Sequence, residues 1–360
     1  MRIHFVHSLL LGGLLLAVGC GPSKSNEKAA NSDNNDLIGA GSTFVYPVMT
    51  KWISTFQQSH PEVRINYQSI GSGGGIQQLK KGLVDFGASD AALDDNQLKE
   101  MPAEVIQLAE SAGPVCITYN LPNLSKPLQL SDATLAGIFL GKIKNWHDSA
   151  LKKDNPGVGL PDTAIIVAHR SEGSGTTNIF TTYLSEVNPE WQKQVGKGIA
   201  VSWPVGIGGK GSEGVTGVVK QSPGAIGYVE FTYAKENNLP VAAVHNKAGK
   251  YVEPSAEGAT AAIDAFSSEL AKDIRTPIVD PTASATDAYP ISGLTFLLVP
   301  KDGQNAAKRE HLKEFIAYVI GSGQDEAQQL YYAKIPDSLK QQDEKLLSQM
   351  TAGGQILASR

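Results

Sequence analysis

Short apolar runs alternate along this chain with longer amphipathic stretches. Runs at residues 63–67, 84–88, 115–119, 165–168, 225–229 and 294–299 have strand length and lie between polar or glycine-rich breaks. Between them, apolar residues recur at helical spacing. Phe44, Val48, Trp52 and Phe56 repeat every four positions, a stripe suited to burial on one helix face, and residues 76–83, 176–184 and 309–320 read the same way. Strands alternating with helices predict an α/β protein. No repeat of solenoid period is visible, and the part after residue 36 is long enough for two domains.

Glycine punctuates the joins. Gly39-Ala40-Gly41-Ser42-Thr43 follows a short apolar run and precedes the Phe44 stripe. Gly71-Ser72-Gly73-Gly74-Gly75 follows VRINYQSI, and Gly173-Ser174-Gly175 follows AIIVAHR and precedes TTNIFTTYL. Three times, then, a strand ends in a Gly/Ser/Thr loop that opens a helix. Helix N-termini leave backbone N–H groups without partners inside the helix, and these, with the helix dipole, favour an anion. Glycine permits close approach to that backbone, and hydroxyls add donors or act as N-caps. Any one such loop is most simply a capped surface helix. Three at strand C-terminal ends mark the place where an open α/β sheet builds its ligand cleft.

Two charged residues sharpen this expectation. Arg170 closes a strand four residues before Ser174, and its planar fork can hold two oxygens of an oxyanion. Asp90 closes the strand in DFGASD. Its plain reading is an N-cap for the residues after it. In an anion cleft, however, a carboxylate becomes useful if the anion carries a proton for it to accept. Monohydrogen phosphate has that proton at neutral pH and sulfate does not, and an unpaired, repelled acceptor costs on the order of several kcal/mol.

The ends and composition bound the setting. LLLGGLLLAVG is shorter than the roughly 20 apolar residues of a membrane span, and it has the length of a signal-peptide core. Ala17-Val18-Gly19-Cys20 resembles the bacterial lipobox, whose cysteine is lipidated and becomes the mature N-terminus. Its Leu16 lies four rather than three places before the cysteine. The expectation is a signal peptide over residues 1–19 and, over 20–36, a lipidated Cys20 with a polar tether. Ordinary secretion with a chance cysteine is the alternative. Without residues 1–19 the chain carries 30 basic and 36 acidic side chains, a formal charge of −6, which argues against nucleic acid. Cys116, alone in the run PVCITY, reads as core packing.

Other motifs fail. GGKG around Lys210 lacks the Walker A spacing, no G-x-S-x-G elbow occurs, and His60, His147, His169 and His245 lack metal-ligand spacing. Strand alternation should turn His169 away from Arg170. No catalytic machinery, metal or other cofactor is expected.

In order, GAGSTFVYPVMTKW, INYQSIGSGGGIQQL, VDFGASDAAL, HRSEGSGTTNIFTTYLS, WPVGIGGKGSEGV and PGAIGYVEFTYA resemble the segments of the periplasmic phosphate-binding proteins of ABC-type phosphate transporters, from about Gly39 to the end of the chain. The resemblance implies a type II periplasmic-binding-protein fold, two α/β lobes joined by two crossing strands. Lobe 1 would hold residues 37–111 plus 285–360, and lobe 2 residues 112–284. It further implies that backbone N–H groups at Thr43 and Phe44, with the Thr43 hydroxyl, bind phosphate. The Phe44 ring would pack. Ser72 opens the second loop, Asp90 accepts the phosphate proton, and Arg170 is the only cation in contact. Ser174, Gly175 and Thr176 supply donors at the third helix start.

One departure from the family pattern matters. Many members carry Asp two places after the arginine, as its partner. Glu172 keeps that charge with a longer reach, which leaves the Arg170 geometry open. Gly73 stands where a second serine is common, a change of less apparent consequence. The implied protein is a monomeric, lipid-anchored extracytoplasmic receptor that passes inorganic phosphate to the permease subunits and ATPase of an ABC importer. Alternatives are a phosphatase, a phosphate sensor or adhesin without a transport role, and a receptor for sulfate or molybdate.

Overall fold

The computed structural model describes residues 36–122 and 124–357. Cys20, the signal segment and nearly all of the tether lie outside the described residues. Eight strands build the central sheet: β1 (Leu37–Gly41), β2 (Ile65–Ser69), β3 (Phe86–Ser89), β4 (Val105–Tyr119), β5 (Ile166–Arg170), β6 (Ile207–Gly209), β7 (Ala225–Glu230) and β8 (Ser292–Pro300). Their order across the sheet is β2-β1-β3-β8-β4-β7-β5-β6.

Two parallel triplets, β2-β1-β3 and β7-β5-β6, flank an antiparallel centre in which β8 pairs with β3 and β4, and β4 pairs with β7. The register fixes where the triplets point. Ser89, the last residue of β3, lies opposite Phe296, which lies opposite Ala109, whereas Glu230, the last residue of β7, lies opposite Val115. The C-terminal ends of both triplets therefore reach the 15-residue β4 from opposite directions and meet over residues 109–115. This is the type II periplasmic-binding-protein fold, in which the helix starts that follow both triplets converge on one line. The lobe boundary expected between residues 111 and 112 falls inside β4, which runs unbroken through it.

The expected elements form, with shifted edges. Val48, Trp52 and Phe56 line the buried face of α1 (Tyr46–Ser59), while Phe44 packs just ahead of it, edge-on to Tyr332. The strand β1 extends through Gly39 and Gly41, which the sequence reads as loop. Likewise α2 (Ser72–Lys80) takes Gly73, Gly74 and Gly75 into its first turn. Glycine in a helix costs roughly 0.5–1 kcal/mol relative to alanine. Packing demands it here, since a Cβ on Gly75 would stand 2.4 Å from Gly41 Cα and 2.5 Å from the Ala40 carbonyl oxygen.

The remaining helices used below are α3 (Gly175–Val187) and α4 (Gly211–Gln221). Cys116 is buried in β4 beside Val229, and burial pushes its thiol well above the usual range, as a packing role requires. Among the described residues no helix is long and apolar enough to cross a membrane.

Candidate functional site

Four helix starts meet where the triplets converge. β1 ends at Gly41 and leads through Ser42, Thr43 and Phe44 towards α1, and β2 leads through Gly71 into α2. From the other triplet, β5 ends at Arg170 and leads through Glu172 and Ser174 into α3, while β6 leads through Lys210 into α4. Asp90 immediately follows β3. Every residue expected at the site is brought to this line, and Ser42, Thr43, Phe44, Ser72, Asp90, Arg170, Ser174, Gly175 and Thr176 are all buried.

Asp90 is not an N-cap. The cap of the next helix is Asp94, which makes a capping box with Gln97. Asp90 instead collects hydroxyls. Ser42 Oγ and Thr295 Oγ1 donate to Oδ1, the latter at 3.3 Å, and Thr176 Oγ1 donates to Oδ2 at 3.0 Å. Burial pushes the Asp90 carboxyl up, while Ser42, the Arg170 charge, Thr176 and Thr295 pull it back. Ser72 Oγ accepts two backbone N–H groups from opposite sides, Asp90 at 3.3 Å and Gly175 at 3.1 Å. A hydroxyl has two acceptor lone pairs, so its own proton remains free to be donated.

Glu172 answers the question about Arg170. One oxygen, Oε1, accepts both Nε at 2.8 Å and Nη2 of Arg170, and also the Gly211 N–H at 3.1 Å. The clamp is thus single-oxygen and side-on, tied to the start of α4. It leaves Nη1 pointing at Thr176 Oγ1, 3.3 Å away, and Ser212 Oγ, 3.5 Å away. His169 faces the other way, as strand alternation requires, with its ring stacked on Trp203 at 4.9 Å.

Contacts between the triplets are close. Gly73 N–H donates to Gly173 O at 2.9 Å, and a Cβ on Gly73 would lie 3.0 Å from Gly173 Cα. Serine there would be tight, so the glycine matters more than the sequence suggests. Gly175 is tighter still, with a Cβ falling 2.6 Å from both the Cβ and the backbone nitrogen of Asp90. Ser174 Oγ is the N-cap of α3, accepting from Thr177 N at 3.2 Å. That bond uses only an acceptor lone pair, so the Ser174 hydroxyl keeps its own proton to donate, whereas Gly175 N–H is given to Ser72 Oγ and the Thr176 hydroxyl to Asp90.

The PBP superfamily domain matches residues 26–322. The phosphate-binding protein PstS of Xylella fastidiosa (strain Temecula1) is 41% identical over 362 residues, covering 96% of this chain and 98% of that protein. The chain belongs to the PstS family of phosphate-binding proteins. PstS of Haemophilus influenzae is 41% identical over 84% of this chain and 89% of its own length. In fold, the chain is similar to the high-affinity periplasmic phosphate-binding protein PfluDING, solved with bound phosphate, at a TM-score of 0.70 and 22% identity, covering 89% of this chain and 96% of that one. These relatives are named as binding proteins, and the family is one of substrate-binding receptors and not of enzymes.

Against this PstS-family frame, sequence reasoning missed two groups. The first is the fourth loop. Ser212 Oγ lies 2.8 Å from Thr43 Oγ1, and Ser212 N–H donates to that oxygen at 3.1 Å, which joins the first helix start to the fourth. Tyr233 reinforces the junction by donating to Thr43 O at 2.6 Å. A signal existed, because IGGKGSEG repeats the glycine-hydroxyl pattern of the other three loops after a strand of only three residues. The second is the pair Glu110 and Thr295 behind Asp90, which no local pattern marks because β4 and β8 lie far apart in sequence.

Proposed function

We propose that this chain binds inorganic phosphate in the cage formed by Thr43, Phe44, Ser72, Asp90, Arg170, Ser174, Gly175 and Thr176, with Ser42 and Ser212 beside them, and delivers it to an ABC importer. The observation that carries this reading is a carboxylate set among donors. Arg170 Nη1, the Ser72 hydroxyl and the helix N-termini suit an oxyanion, whereas Asp90 suits only one that brings a proton. Glu172 is the clamp that aims Arg170. Residues 37–111 with 285–360 would act as one lobe and 112–284 as the other, hinging about the crossing strands β4 and β8. Closure then completes the cage from both sides.

The partners are the permease subunits and ATPase of the importer. The protein acts outside the cytoplasm as a monomer, tethered to a membrane through lipidated Cys20.

Calorimetric titration with phosphate and with sulfate tests the reading. The expected outcome is tight phosphate binding with a gap to sulfate on the order of several kcal/mol, the cost of a buried acceptor facing a bare oxygen. Asp90→Asn should narrow that gap and weaken phosphate less than Arg170→Ala does. Equal affinity for the two anions in the unaltered protein overturns the role given to Asp90.

A further inference from the structure

Directly behind Asp90 lies a second carboxyl group that no ligand contact explains. Glu110 sits in the middle of β4, fully buried, at the level where the two triplets meet. Its Oε1 is 3.0 Å from Thr295 Oγ1, and its Oε2 has no hydrogen-bond partner among the described residues. Thr295, on β8 and likewise buried, is also 3.3 Å from Asp90 Oδ1. A hydroxyl has one proton to give, so Thr295 cannot donate to both carboxylates. Were both acids ionised they would compete for that single proton, whereas a proton on one of them, donated to the Thr295 oxygen, satisfies all three groups.

The surroundings decide which. Asp90 has Arg170 across the cleft and also receives Ser42 and Thr176, all of which favour its ionised form. Among the described residues, Thr295 is the one side chain bonded to the Glu110 carboxyl. The groups acting on Glu110 are few. The Asp90 charge acts on it from the end of β3, and the Glu110 charge itself acts on the Tyr67 hydroxyl of β2, which donates to Ser42 O. From the helix side, Gln324 donates to its backbone carbonyl at 2.9 Å, and Asp343 receives the N–H of neighbouring Ala109 at 3.2 Å. None of these is a cation. The proton therefore belongs to Glu110.

We infer that Glu110 and Thr295 are positioning residues for the anion site: Glu110, as a carboxylic acid, donates to Thr295 Oγ1, which thereby commits its own proton to Asp90 Oδ1. The relay holds Asp90 ionised and fixed in orientation, with its acceptor capacity directed at the ligand. It rests on the phosphate reading above and adds to it a dependence of affinity on a group that never touches the ligand.

Burial, with the Asp90 charge adding to it against the Thr295 hydrogen bond, pushes Glu110 up to about 8. Below that pH the relay is intact and affinity does not depend on this proton. Above it Glu110 ionises, two carboxylates compete for one hydroxyl proton, and Asp90 gains a like charge behind it. The competent fraction then falls by up to tenfold per pH unit, and the apparent Kd rises in proportion.

The test is phosphate titration of the full chain from about pH 7 to about pH 9.5, comparing the unaltered protein with Glu110→Gln, whose amide still donates to Thr295 but does not titrate. The ratio of the two Kd values cancels the ionisation of phosphate itself, and also that of Glu230 and Asp343, which burial pushes up to about 8 as well. Relative to the variant, the unaltered protein should lose about tenfold to thirtyfold in affinity across this range. Thr295→Val should weaken phosphate binding even at about pH 7, and Thr295→Ser, which restores the hydroxyl, should recover it. Difference infrared spectroscopy should show a protonated carboxyl band at neutral pH that Glu110→Gln removes. Parallel pH profiles for the unaltered protein and Glu110→Gln, both binding, overturn the relay alone. Failure of the unaltered protein to bind phosphate at any pH overturns the underlying reading and the relay with it.

Discussion

Gly175 is where a single methyl group should decide whether the cage can close. Its backbone is not in the left-handed region, so conformation does not require glycine there. Space does, because the β-carbon of Gly175→Ala would stand 2.6 Å from the Asp90 Cβ and backbone nitrogen and 2.7 Å from its Cα. Carbon atoms at rest lie about 3.5–4.0 Å apart, so the two chain segments must retreat by about 1 Å. Three contacts span the same gap: Gly175 N–H to Ser72 Oγ at 3.1 Å, Thr176 Oγ1 to Asp90 Oδ2 at 3.0 Å and Gly73 N–H to Gly173 O at 2.9 Å. A retreat of that size carries each towards about 4 Å, beyond hydrogen-bond range. At about 0.5–1.5 kcal/mol each, and more for the bond to a carboxylate, closure loses about 2–4 kcal/mol. Phosphate Kd should therefore rise by about thirtyfold to a thousandfold, read by calorimetry near neutral pH. The clash lies between segments rather than inside either one, so the circular dichroism spectrum should be retained. Binding within about threefold of the unaltered protein, on the scale where tenfold is about 1.4 kcal/mol, would refute the claim that phosphate binding needs the close approach of Gly175 to Asp90.

Two further outcomes follow from the same geometry. Glu172→Ala frees the guanidinium and leaves Gly211 N–H without its acceptor, so phosphate Kd should rise by about tenfold or more, and an unchanged Kd would show that the clamp does not aim Arg170. Asp343 is buried with, among the described residues, only the Ala109 N–H as donor, and burial pushes it up to about 8. Between about pH 4 and about pH 8 the unfolded chain has lost this proton while the folded protein keeps it, which costs the folded state about 1.4 kcal/mol per pH unit. Asp343→Asn removes that dependence, so its melting temperature relative to the unaltered protein should climb from about pH 5 to about pH 8, and a flat difference would contradict the assignment.

The strand and helix series, the glycine-hydroxyl loops, Arg170 and Asp90 were legible in the sequence because each is a local signal. Spacing, propensity and loop composition are written within a dozen residues, and a parallel α/β pattern places its loops at one end of the sheet. The edges were less legible. Gly73 to Gly75 look like a loop in isolation and lie in a helix because Gly41 and Gly173 pack against them. Ser212 carried the same local signal as the other loops, but only the pairing of β6 with β5 shows that it reaches Thr43.

By itself, then, the sequence determined that this is an α/β protein with an oxyanion-type set of donors and one telling carboxylate. The tertiary structure decided three things that no window of the chain contains. It set Glu172 side-on against Arg170, leaving Nη1 to face Thr176 and Ser212 in the cage. It brought Gly175 against Asp90 with no room for a methyl group. It also placed Glu110 and Thr295, 185 positions apart, behind the carboxylate. The physical reason is common to all three: burial and proton sharing depend on which surfaces meet, and the register of β4 with β7 and β8 fixes those meetings at long range.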